Sequence, residues 1–193
     1  MSLLPARLWS DARHYQILAL SGLLTINFTM IDFGARPLAS ALAITAAVIT
    51  QIVGARFTGT PIDLRSPLIT GLSLSLLLRA DEAWLHALAA IIGIGSKFVL
   101  RHDGKHIFNP AGFAIVVLLF TAPDVWISPG QWGSAVWFAA LLCFLAILVL
   151  SAARRADVAI FFFLSHAALL LARAWCWAIR WRSRCISCRA ARS

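Results

Sequence analysis

The chain has 193 residues, of which 61% are apolar and 13% charged, with a formal net charge of +9 and a mean hydropathy of +0.83. Soluble domains carry roughly 25% charged residues, and a soluble core of this size has no room for so much apolar surface, so a water-soluble enzyme is excluded in favour of a polytopic membrane protein. The positive charge is accounted for by the Lys/Arg excess that orients membrane proteins, together with a basic tail, and nucleic acid is not an expected partner.

In chain order, residues 1–14 form a polar, cytoplasmic N-terminus containing Arg7 and Arg13, with no cleavable signal peptide. Seven apolar runs follow, at Tyr15–Ile31, Leu38–Val53, Pro67–Leu78, Ala83–Gly95, Phe108–Ala122, Ala135–Leu150 and Val158–Ala172. They predict an all-α fold: a polytopic membrane helical bundle of six to seven membrane segments within 15–173. Pro67–Leu78 covers twelve residues, about 18 Å against a hydrocarbon core of roughly 30 Å. Ala83–Gly95 is similar. These two are short tilted spans, or a re-entrant hairpin with Arg79–Glu82 at its tip, and the sequence leaves that choice open. Outside the tail, Lys and Arg in alternate flanking segments number nine against two, a positive-inside pattern that puts the N-terminus in the cytoplasm. Asp32 and Arg36 flank the first turn as interfacial anchors. Trp126 and Trp132 mark an external loop at 121–134.

Chemistry concentrates between Lys97 and Gly112. The stretch holds Lys97, Arg101, Lys105, His102, His106 and Asp103, and ends in Asn109-Pro110, a helix-start signal that aims a positive dipole end at the charges. Ser66-Pro67 with Thr70 and Gly71 repeats that signal earlier in the chain. Two such helix starts beside a basic loop suit an anion such as a flavin phosphate or a carboxylate. The competing reading is plain: proline at the first helical position is how many helices begin, and the charged stretch is a solvated loop. His166 lies within the last apolar run, either as a functional intramembrane group or as a partner for a neighbouring helix. Cys143 reads as a small core residue. No Ser-His-Asp order, HExxH, P-loop or GxGxxG motif occurs in the chain.

Three stretches together resemble the NqrB/RnfD family of membrane subunits. They are Asp11–Gln16, Ser66–Ser75, and Lys97–Gly112 with Phe108-Asn109-Pro110-Ala111 at its centre. The resemblance runs from about residue 11 to 173. It implies a helical subunit of the bacterial cytoplasmic (inner) membrane, working in flavin-linked electron transport coupled to ion translocation. FMN or riboflavin is the implied cofactor, and other membrane redox subunits and the lipid bilayer are the implied partners. Lys105, His106, Asn109, Pro110, Ser66, Thr70 and Gly71 are the expected residues of the anion or flavin site. No metal site and no catalytic residue are expected. Family members carry covalent FMN on a threonine of a later segment; nothing here matches that segment, and Thr70 belongs to a different motif. A channel or carrier for a small solute or ion, without a redox role, is the alternative, and an inactive truncated fragment is another.

The texture changes after Arg173. Residues 174–193 hold five Arg, three Trp and three Cys, with no acidic residue. Cys185-Ile-Ser-Cys188 with Cys176 suggests metal or redox chemistry, but there is no second CxxC and no nearby His. One synonymous back-translation, read in a shifted frame, yields a Gly-Asp-Pro loop and a further apolar segment that resemble the family's continuation. The expectation is a product truncated by a frameshift after about Arg173, which DNA sequencing across those codons tests.

Overall fold

The computed structural model describes residues 11–31, 36–102, 105–127, 136–153 and 156–190. Asp32, Asp103, Gly104 and Trp132 lie outside them. The described residues are mostly helical, with seven α-helices among them: α1 (Ala12–Ile26, continued by a π-helical turn at Asn27–Ile31), α2 (Pro37–Thr58), α3 (Arg65–Leu77), α4 (Trp84–Val99), α5 (Pro110–Thr121), α6 (Val136–Ala153) and α7 (Ala156–Ala190). The chain divides into two units, Met1–Ala152 and Ala153–Ser193. Each of the seven apolar runs falls on one of these helices.

The all-α expectation needs an amendment. Four short strands, β1 (Leu78–Ala80), β2 (Arg101–His102), β3 (Lys105–His106) and β4 (Val125–Ile127), form the antiparallel pairs β1–β4 and β2–β3. The first pair has Arg79 opposite Trp126. It arises because α3 and α5 both stop early. Ala122 precedes Pro123, a position that disfavours helix, and takes φ −123° and ψ 122°. The amides and carbonyls freed by the two early stops satisfy each other across β1–β4. The Arg79 guanidinium adds hydrogen bonds to the Ser75 and Leu78 carbonyl oxygens, a cation on the carbonyl end of α3.

α5 with 12 residues and α3 with 13 are the shortest of the described helices, whereas α4 has 16, one more than α1. Among the described residues, α2 and the Ala159–Trp177 part of α7 are long and apolar enough to cross a bilayer. α7 continues through the change of texture at Arg173, since no Gly or Pro interrupts residues 156–190.

Close backbone contact organises the first unit. α2 buries Ala39, Ala43, Ala47, Gln51 and Ala55, a four-residue period of mostly small side chains that brings α3 and α4 against it. A methyl group placed on Gly71 would sit 2.8 Å from the Ile44 Cα of α2. One on Gly93 would sit 2.6 Å from the Pro110 carbonyl oxygen at the start of α5. The core between these helices includes Leu74, Leu78, Ile94 and Leu118.

Connecting segments collect at two ends. At one end Asp11 meets Arg65, Arg13 meets Asp63, and Lys97 meets Ser66. At the far end of α2, the Arg36 guanidinium donates to the Asp81 carbonyl oxygen, and the Asp81 N–H to that of Asp124. The α3–β1–α4 hairpin thus runs from one end of the unit to the other.

The outward surface is apolar: Phe57 and Phe120 are each 88% exposed and Val136 is 83% exposed. α6 packs through Leu141, Leu142 and Leu145 onto Leu23, Leu24, Leu72 and Leu76, and its other face stands open. Cys143 lies on that open face and is exposed, so it is not the core residue its sequence context suggested. In the second unit, Phe161, Phe162 and Phe163 are exposed, and His166 stacks on Phe162 with ring centroids 6.1 Å apart.

Candidate functional site

The two helix starts do not use the caps that the sequence suggests. Asn109 precedes α5 with extended backbone, yet its carboxamide makes no capping hydrogen bond and is exposed. The Phe108 and Phe113 rings stack instead, with centroids 5.5 Å apart, one residue before the cap position and four after it. This hydrophobic staple fixes the entry of the chain into α5 and leaves the Asn109 side chain uncommitted. At α3 the helix begins at Arg65, and the Asp63 carboxylate, rather than the Ser66 hydroxyl, accepts from the first-turn Arg65 N–H at 3.1 Å. Ser66 is released from capping because its hydroxyl accepts from Lys97.

Lys97 is the centre of the arrangement. Its ammonium donates to the Gln51 carboxamide oxygen at 2.9 Å and to the Ser66 hydroxyl at 2.8 Å. Three elements meet there: the last third of α2, the start of α3 and the C-terminal turn of α4. Gly93, four residues before Lys97 and so on the same face of α4, seats the Pro110 carbonyl at the start of α5. α3 and α5 therefore both begin against one stripe of α4, with a half-buried ammonium at its end. An ammonium carries three N–H donors, and the two bonds to Gln51 and Ser66 use two of them. Lys97 lies within electrostatic reach of Arg13, Arg101 and Asp63. Charge and geometry together suit an anionic group.

The expected site residues separate into two groups. Ser66 takes part directly. Thr70 is buried and donates to the Ser66 carbonyl oxygen at 3.0 Å, which fixes the first turn of α3. Gly71 is buried against α2, where it permits close packing rather than ligand contact. Pro110 is buried, whereas His106 is exposed on β3. Lys105 pairs through its backbone with His102, and its side chain lies outside the described residues. Gln51 was missed by sequence reasoning, although a single carboxamide inside the apolar run of α2 was a readable signal. No group of three or more His, Cys, Asp or Glu suited to a metal ion occurs among the described residues.

A ring of ion pairs borders this end. Arg65 bonds Asp11 at 2.6 Å and Asp63 at 3.0 Å, and Arg13 bonds Asp63. The Arg13 backbone N–H hydrogen bond, with the charges of Arg65, Arg13 and His14, outweighs desolvation and holds the Asp11 carboxyl below its ordinary 3.8. At Asp63 burial pushes upward, but hydrogen bonds from the Arg65 side chain and backbone, with the charges of Arg65 and Arg13, bring the carboxyl below 3.8. Both folded-state values lie beneath the unfolded one, so the stability these carboxylates contribute is present above about pH 4 and lost as pH falls through the lower folded values. Thermal melts in detergent should be flat between neutrality and about pH 5, then fall below about pH 4. Asp63→Asn should lower the neutral-pH melting temperature and blunt that acid limb; an unchanged limb would show that the ring contributes nothing.

No family model matches the chain, and no curated protein or solved structure matches it.

Proposed function

We propose that this chain is a multi-pass subunit of the bacterial cytoplasmic membrane, of the NqrB/RnfD type, acting in flavin-linked electron transport coupled to ion translocation. The N-terminus lies on the cytoplasmic side, and neighbouring membrane redox subunits are its partners. Two features favour a bilayer setting. The outward face of the bundle is apolar, and the backbone groups released by the short helices are satisfied internally, as a hydrocarbon environment demands.

The observation that carries the ligand reading is Lys97, an ammonium braced by Gln51 and Ser66 where α3 and α5 both begin against α4. That arrangement accepts the phosphate of FMN, so the nucleotide is favoured over riboflavin, which has no anionic group to offer. The flavin, when bound, accepts and passes on electrons singly or in pairs. The residues of this chain bind its phosphate, orient it against the helix starts and keep bulk water from the buried Gln51 side. Protein extracted from membranes in mild detergent should carry close to one FMN, released by acid. Flavin-free protein that supports solute flux in liposomes would overturn this in favour of a channel or carrier. The observation favouring that second reading is the β1–β4 pair, which joins the ends of two broken helices, a construction used by transport proteins.

A further inference from the structure

A second set of polar side chains is buried at the end of the α2–α4 seam opposite Lys97. Asn27, Ser40 and His86 are 1%, 4% and 5% exposed. Four of their atoms are buried without a hydrogen-bond partner among the described residues: the Asn27 carboxamide oxygen and nitrogen, the Ser40 hydroxyl and His86 Nδ1. A bare buried polar atom is costly, and native cores leave few of them unmet.

Helix register brings the three residues to one level. The starts of α2 and α4 are tied by Arg36 and Asp81 and their far turns by Gln51 and Lys97, so the two helices run parallel. Eleven residues back from Gln51 and Lys97, three turns or roughly 17 Å, stand Ser40 and His86 on the same two faces. Gly71 of the antiparallel α3 lies against Ile44, so one turn further on Ser75 falls opposite Ser40. Leu23 and Leu24 of α1 pack on Leu72 and Leu76, and Asn27 follows one turn later, toward the same end of α3. Asn27 also opens the π-helical turn, a distortion frequent at functional positions.

Donors and acceptors decide what fits. The Leu78 carbonyl can only accept, so His86 Nε2, 3.2 Å away, carries the ring proton and donates to it. In the neutral ring Nδ1 is then an acceptor. The hydroxyls of Thr25, Thr50, Thr70 and Ser75 bond back to the carbonyl four residues earlier, whereas that of Ser40 does not. Ser40 and Asn27 offer donors and acceptors alike. A cation would meet only the acceptors, within the field of Arg79 and Arg36, whose charges reach His86. An anion would meet only the donors. Water meets both.

We infer that Asn27, Ser40 and His86 bind a small cluster of internal water around the C-terminal turn of α3. Between this cluster and Lys97 the seam is lined by Ala43, Ala47, Ala89 and Ala90, each fully buried, so the two polar ends are separated by a dry stretch.

Water-edited solid-state NMR of the full chain in lipid bilayers, isotope-labelled at histidine, asparagine and isoleucine, tests the site. Polarisation from water should reach the His86 ring and the Asn27 carboxamide several-fold faster than the side chain of Ile94, which is fully buried in the apolar core. Ser40→Ala should slow transfer to His86 several-fold. Transfer as slow as that to Ile94 overturns the inference, as does a wild-type rate at His86 in Ser40→Ala. A change in the His86 or Asn27 signals when sulfate replaces chloride, or potassium replaces sodium, at fixed ionic strength overturns it in favour of a bound ion. Asn27→Leu gives a second reading through stability. A hydrated carboxamide predicts a lower melting temperature in detergent, because its water partners are lost. A dry, unpaired one predicts a gain of several degrees, and that gain overturns the inference.

Discussion

Lys97→Met is expected to weaken binding of FMN or another anionic ligand by roughly 10- to 150-fold, the loss of one charge-assisted hydrogen bond of about 1.5–3 kcal/mol. Its effect on stability should be smaller. The Gln51 oxygen, on a side chain only 4% exposed, loses its partner, at about 1–3 kcal/mol. Removing a half-buried ammonium relieves desolvation of opposite sign. Flavin titration separates the two effects, because the binding loss should exceed any shift in melting temperature. Gln51→Glu is the companion variant. It keeps the shape, gives Lys97 a carboxylate partner and should raise stability while lowering anion affinity through like-charge repulsion. If both variants bind FMN as tightly as the wild type, the anion site lies elsewhere.

Gly93→Ala should be the most damaging single methyl addition in the helical core. The new carbon would lie 2.6 Å from the Pro110 carbonyl and 3.3 Å from the Ala114 side chain, so α5 must move away from α4. Overpacking of this kind costs about 1–3 kcal/mol. Gly95, two residues along the same helix, has nothing within 4 Å of the equivalent position. Gly95→Ala should therefore stabilise by roughly 0.5–1 kcal/mol through helix propensity alone. Thermal unfolding of the pair in detergent reads the difference directly. Equal effects would mean that α4 and α5 are not in contact at Gly93. Because Gly93 also sets the start of α5 beside Lys97, its alanine variant should lose FMN affinity as well.

Helix positions were legible because apolar runs and proline or glycine punctuation act locally. Pro37 and Pro110 begin helices, and Gly59, at φ 64°, ends α2. The shortness of α3 was equally visible in the length of its apolar run. α5 was expected to be longer, since Ala122 is apolar and only its position before Pro123 removes it from the helix. The capping roles given to Ser66 and Asn109 rested on residue type alone. In the fold, one hydroxyl goes to a lysine 31 positions later, and the other start is held by two stacked rings. Gly71 looked like part of a ligand motif because glycine after a helix start is common to both readings, and only the backbone of α2 beside it distinguishes them.

By itself the sequence determined the helical class, the order of the segments, the division of charge between alternate connections and the two proline-marked helix starts. These follow from hydrophobicity and backbone chemistry within a few residues. Tertiary structure decided what the sequence held apart: the Lys97 node with Gln51, 46 residues away, the β1–β4 pairing across 47 residues, and the burial of Asn27, Ser40 and His86 around the end of α3. Such contacts depend on how helix faces meet, and the side chains that make them carry no local mark of their partners.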